Sequence, residues 1–125
     1  MKLLVAHDYA IQTILYLGER NVTVSTKAIA EDLDLNRDFL IQVSQVLVGE
    51  GIITGVKGKN GGYKLVLAPD EINVLDVINA FKRSNIDRNG SDAVLVLKEA
   101  MENALDMSFA ELSDRIARAI REGRQ

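Results

Sequence analysis

The 125-residue sequence contains no cysteine and no tryptophan, one proline and one histidine. Without cysteine there is no disulfide, no thiolate metal site, no cysteine-ligated cluster and no cysteine nucleophile. His7 is the only imidazole; a metal site shared with Asp8 is disfavoured because adjacent side chains on a helix diverge by about 100°, and a place at the surface or near DNA is expected for it instead. The longest apolar run, Ala93-Val94-Leu95-Val96-Leu97, falls well short of the roughly 18 residues of a membrane span, and no signal-peptide pattern opens the chain. No membrane partner is expected, and the cytoplasm is the expected location. Linkers, low-complexity tracts and repeats are missing as well. So are a nucleophile–base pair and a phosphate-cradling P-loop, which leaves no enzymatic role and no cofactor to expect. Excess positive charge is also lacking: 15 basic residues stand against 18 acidic ones, a formal net charge of −3.

What is present is ordinary globular composition, 47% hydrophobic and 26% charged, in a chain long enough to bury a real core. The charge is unevenly placed. Residues 1–65 are balanced and the acidic excess lies in 66–125, whereas Gly51 to Ala68 carries Lys57, Lys59 and Lys64 and no acid. That is the one stretch with a field of a single sign.

Hydrophobic periodicity predicts helices flanking a short sheet. A first helix is expected over Leu4–Gly18, burying Val5, Ile11, Ile14, Leu15 and Leu17, with Gly18 as its terminator. Val22-Thr23-Val24 reads as a short strand. Ser25 and Asn36 are good caps for a second helix through Leu33 and a third from Arg37 to about Glu50, which Gly51 would end. Ile52–Val56 and Tyr63–Leu67 read as two strands joined by Lys57-Gly58-Lys59-Asn60-Gly61-Gly62. Asn73 caps a helix over Val74–Lys82 that buries Leu75, Ile78 and Phe81. Val94, Leu97, Met101, Ala104 and Leu105 line a long apolar helix over 92–107. Ser108 and Glu111 form a capping-box pattern before a last helix with Leu112, Ile116 and Ile120 on its buried face.

The segment Thr26–Glu50 has the spacing of a helix-turn-helix. Ile29, Leu33, Leu35, Leu40 and Val43 supply the buried positions, Ala30 is small where the helices approach, and Asp34 sits where the turn takes a left-handed residue. An ordinary helical hairpin has the same spacing. A two-stranded ribbon with a Lys/Gly/Asn tip follows at once, which is the layout of a winged helix. Glycine lets backbone approach phosphates, and Lys57, Lys59 and Asn60 can donate to phosphate oxygens or minor-groove edges. On the third helix, the residues opposite Leu40, Val43 and Leu47 are Arg37, Asp38, Gln42 and Gln45, with Asn36 and Ser44 nearby. Arginine can read guanine and glutamine adenine through paired hydrogen bonds. Asp38 can accept from cytosine, fix Arg37, or simply suit the positive end of its helix.

These residues carry a family resemblance. Asp8-Tyr9-Ala10, Val24-Ser25-Thr26-Lys27-Ala28-Ile29-Ala30, Phe39-Leu40-Ile41-Gln42-Val43, Gly58-Lys59-Asn60-Gly61-Gly62-Tyr63-Lys64-Leu65 and Ile72-Asn73-Val74-Leu75-Asp76-Val77-Ile78 resemble the Rrf-two family of bacterial winged-helix transcription regulators, of the IscR, NsrR and CymR type. The resemblance implies a homodimer held by the 92–107 helix on a roughly palindromic DNA operator, acting as a repressor or an activator. The apolar excess of that helix, at Val94, Leu97, Met101, Ala104 and Leu105, agrees with dimerisation. The resemblance further implies that the wing residues Gly61 and Tyr63 belong to the DNA surface, and that Lys2, Lys27 and Tyr9 lie on segments approaching the DNA backbone. Cluster-binding members carry three cysteines before the dimerisation helix. Here that loop, Ser84–Gly90, has none, so sensing through a cysteine-ligated iron–sulfur cluster is excluded.

The expected fold class is α+β, mainly α: a winged helix-turn-helix domain over 1–83, a connecting loop over 84–90, and a dimerisation helix with a C-terminal helix over 91–125. The expected function is sequence-specific transcription regulation, most simply repression, by a homodimer on double-stranded DNA. A small-molecule or protein effector is compatible with it. The rival is a winged-helix module for protein interaction without operator-specific DNA binding, which the acidic balance favours and Arg37, Lys57, Lys59 and Asn60 oppose.

Overall fold

The computed structural model describes residues 5–84, the last three by backbone alone, and residues 103–123. The described elements run α1 (Val5–Arg20), α2 (Thr26–Leu33), α3 (Arg37–Gly49), β1 (Ile53–Val56), β2 (Gly62–Leu65), a 3-10 turn (Pro69–Glu71), α4 (Val74–Ser84) and α5 (Phe109–Arg121). Local chemistry explains most of the boundaries. Ser25, Asn36 and Ser108 each accept a hydrogen bond from the backbone N–H three residues on, at 3.1, 2.9 and 3.1 Å, and so start α2, α3 and α5. Asp34 ends α2 in the left-handed conformation expected of it, φ 55°, and Gly51 leaves α3 at φ 75°.

α1 lies against α2, α3, α4 and the ribbon. Around it Ile14, Leu17, Ile29, Leu40, Leu47, Ile53, Val77 and Ile78 form one buried core. β1 and β2 pair antiparallel, Ile53 opposite Leu65 and Val56 opposite Gly62. Phe109 is fully buried in the same core, so residues 1–83 take a core side chain from the 91–125 segment. Backbone bonds from Phe109 to Ile72 (2.9 Å) and from Val74 to Met107 (2.8 Å) seat it there.

The structure revises several sequence expectations. α1 presents His7, Ala10, Thr13, Ile14, Tyr16 and Leu17 inward, while Val5 is 63% exposed, so its inner face is rotated from the purely apolar one. His7, expected at the surface or near DNA, is buried with its ring edge-on to Phe81 at 5.5 Å. Gly18 does not end α1, which continues to Arg20. A Cβ there would meet Pro69 Cγ at 3.1 Å, so this glycine serves the close approach of the 3-10 turn. Val22–Val24 forms no strand of its own, only a bridge between Val24 and Tyr63. On α5 the inner stripe stops early: Phe109 is buried and Leu112 packs on the core, but Ile116 and Ile120 are 39% and 70% exposed, because only the first turns of the helix reach the core. Among the described residues, no helix is long and apolar enough to cross a membrane.

Tyr16 ties α1 to α2. Its hydroxyl donates to the Asp32 carboxylate, and the Arg20 guanidinium lies 3.5 Å from its ring centroid. The bond to Asp32, with burial second, raises the Tyr16 pKa above the ordinary value of about 10.

Candidate nucleic-acid interface

α3 is built with two unlike faces. Leu40, Val43, Ser44 and Leu47 are buried against α1 and the ribbon. Asp38, Gln42 and Gln45 lie at i, i+4 and i+7 and are all exposed, a polar stripe on the opposite side, with Arg37 exposed beside it. Ser44 is the correction here. It follows Leu40 by four residues and precedes Leu47 by three, so its 0% exposed side chain points into the core and cannot reach DNA. Asn36 caps the helix through its side-chain carbonyl. Asp38, in the first turn, suits the positive helix end whatever else it contacts.

The ribbon presents its charge at the tip. A turn closed by the Gly61 N–H donating to the Gly58 carbonyl at 3.0 Å carries Lys59 and Asn60 at its centre. Lys57, Lys59 and Asn60 are exposed. The adjacent glycines have internal duties. A Cβ on Gly61 would fall 2.2 Å from the Val56 carbonyl oxygen; one on Gly62, at φ 150°, would fall 2.0 Å from that of Val24. Gly62 thus lets the ribbon close on the α1–α2 connection, where the Tyr63 N–H and carbonyl exchange 2.9 Å bonds with Val24. The Tyr63 ring packs against the core, so this residue anchors the base of the wing. Gly58, at φ 105° with open space around it, is the glycine that backbone geometry alone requires.

The other candidates lie elsewhere. Lys27 is exposed in the first turn of α2. Tyr9 is half-buried on α1, its hydroxyl accepting from the Asn36 N–H at 2.9 Å, so it meets the start of α3. Ala104 is exposed, and Leu105 packs on the core of its own chain. Lys2, Val94, Leu97 and Met101, with the loop after Ser84, lie outside the described residues. Lys64, which is not among the residues expected at the DNA surface, is also exposed, on β2 opposite Thr54. Strand alternation was the available signal, since Tyr63 and Leu65 turn to the core and leave Lys64 outward.

The described residues hold no group of three or more His, Cys, Asp or Glu placed to bind a metal ion. The donor set does not fit an iron–sulfur cluster, for the chain has no thiolate and its single imidazole packs on Phe81.

Comparison with known proteins agrees with this geometry. Residues 5–122 match the family model Rrf2, described as an iron-dependent transcriptional regulator. The chain is 32% identical over 80 residues to the HTH-type transcriptional regulator NsrR of Bacillus licheniformis, covering 62% of this chain and 56% of that protein. It is 35% identical over 74 residues to an Aquifex aeolicus putative HTH-type transcriptional regulator, covering 58% and 51%. The match thus spans about half the length of these curated relatives. Among solved structures, T. potens IscR superposes with a TM-score of 0.76 at 29% identity, over 93% of this chain and 88% of that one. CymR of B. subtilis superposes at 0.78 with 20% identity, over 92% and 98%, and shares the fold. A winged helix-turn-helix with a cationic ribbon tip, matched by one family model over nearly its whole length, is a member of the Rrf2 family of transcriptional regulators.

Proposed function

We propose that this protein is a sequence-specific DNA-binding transcription regulator that works in the cytoplasm as a homodimer on a two-fold operator, without a catalytic role and without a cysteine-ligated cluster. The observation that carries the reading is the two-faced α3: its buried face is locked into the core while Asp38, Gln42 and Gln45 project as one exposed polar stripe. Such a helix laid in the major groove presents amide side chains to base edges. Lys57, Lys59 and Asn60 at the wing tip supply contacts to the phosphate backbone, which position the protein without reading sequence. The apolar run at Val94, Leu97 and Met101 joins two copies, so that two α3 helices meet major grooves about one turn, roughly 34 Å, apart. Occlusion of a promoter by the bound dimer is the simplest outcome, hence repression.

Selection of bound duplexes from a random pool by the purified protein tests this. The expected result is one enriched two-fold motif. No enrichment by a folded protein would favour the protein-interaction reading, for which the exposed Ile116 and Ile120 on α5 are the supporting observation.

A further inference from the structure

We propose that Tyr9 is a positioning residue for DNA specificity, acting by fixing how α3 begins; the inference rests on the DNA-binding reading above. The backbone N–H of a helix-capping residue has no partner in the helix it starts. In this protein the Asn36 N–H is donated across the fold to the Tyr9 hydroxyl at 2.9 Å, 27 residues away in sequence. The Tyr9 ring also meets Phe39, in the first turn of α3, edge-on, with centroids 4.9 Å apart and planes at 79°. Asn36 closes the arrangement by accepting from the Phe39 N–H through its side-chain carbonyl at 2.9 Å.

One side chain of α1 therefore holds α3 at two points, the backbone just before the helix and a side chain within its first turn. Two points fix rotation as well as position, at the end of the helix where Arg37 and Asp38 project. Tyr9 is itself held, its carbonyl accepting from the buried Thr13 hydroxyl at 2.7 Å. The consequence falls on specificity. Reading a base edge needs the helix within hydrogen-bond tolerance, whereas contacts to an unrelated duplex, made to phosphates by flexible lysines, tolerate a loosened helix start.

Tyr9→Phe keeps the ring and removes only the hydroxyl, with its acceptor and its donor. Binding of this variant to the selected operator and to an unrelated duplex, at one salt concentration, is compared with amide hydrogen exchange at Asn36 in the free protein. The expected loss of operator affinity is roughly two- to tenfold, the worth of one neutral hydrogen bond, with unrelated-duplex affinity unchanged and Asn36 exchange accelerated. Phe39→Leu, which keeps the hydroxyl and removes the aromatic edge contact, is expected to lower the same affinity ratio. Equal losses on both duplexes with Asn36 exchange unchanged would assign the hydroxyl to a phosphate and overturn the positioning role, as would no loss on either. If the unsubstituted protein does not distinguish the two duplexes, the DNA-binding reading fails, and the exchange measurement, which needs no DNA, still decides whether the hydroxyl holds α3.

Discussion

α3 and the wing face the same proposed ligand, yet they are held differently. α3 is fixed along its whole length: a cap and Tyr9 hold its start, and Leu40, Val43 and Leu47 are buried beneath it. The wing is fixed at its base, by buried Ile53, by Val24 pairing with Tyr63 and by Gly62, which allows that approach, while the side chains of its tip are exposed. The difference teaches a division of labour. Side chains on a rigid helix can discriminate between bases, while long cations on a free tip add affinity with little preference.

The largest expected effect breaks the wing's base. Gly62→Ala puts a Cβ against the Val24 carbonyl at a φ that side chains rarely adopt, so a loss of about 2–4 kcal/mol in chemical denaturation is expected. Unchanged stability would mean the ribbon does not depend on this approach. Next, Gln42→Ala removes an exposed side chain proposed to read a base from α3, without touching the core. Discrimination at one base pair of each half-site should fall by about 1–3 kcal/mol, whereas a uniform loss over all sequences would reduce Gln42 to a backbone contact. Smaller again, Lys59→Glu should weaken binding to every duplex and lower the slope of log affinity against log salt by about one; an unaltered slope would remove the tip from the interface.

The smallest effect lies away from both regions, at Tyr16. Its folded-state pKa is raised by the bond to Asp32, so the folded protein holds this proton more tightly than the unfolded chain does. The stability it contributes is complete below the ordinary tyrosine value and is lost as pH rises through the raised one. Tyr16→Phe should therefore flatten the decline in melting temperature above about pH 10, and an identical decline in both proteins would assign it to other groups.

Much of this was legible in the residues because local chemistry decides it. Ser25, Asn36 and Ser108 cap the helices they were expected to cap, Asp34 is left-handed, and the ribbon falls between Gly51 and Pro69. The misreadings share one cause, that a residue letter does not say what lies across from it. Gly18 resembles a helix end in sequence, but its role depends on Pro69, 51 positions away. His7 and Ser44 are polar letters at inward angles of their helices, where position outweighed polarity. The resemblance implies only that Tyr9 lies on a segment approaching the DNA backbone, and it takes the fold to bring its hydroxyl to Asn36.

The division of labour is tested most directly by repeating the random-duplex selection with Gln42→Ala and with Lys59→Glu beside the unsubstituted protein. The account predicts that Gln42→Ala erases information at one symmetric pair of positions, while Lys59→Glu recovers the full motif at lower yield. A motif altered by Lys59→Glu and untouched by Gln42→Ala would contradict it.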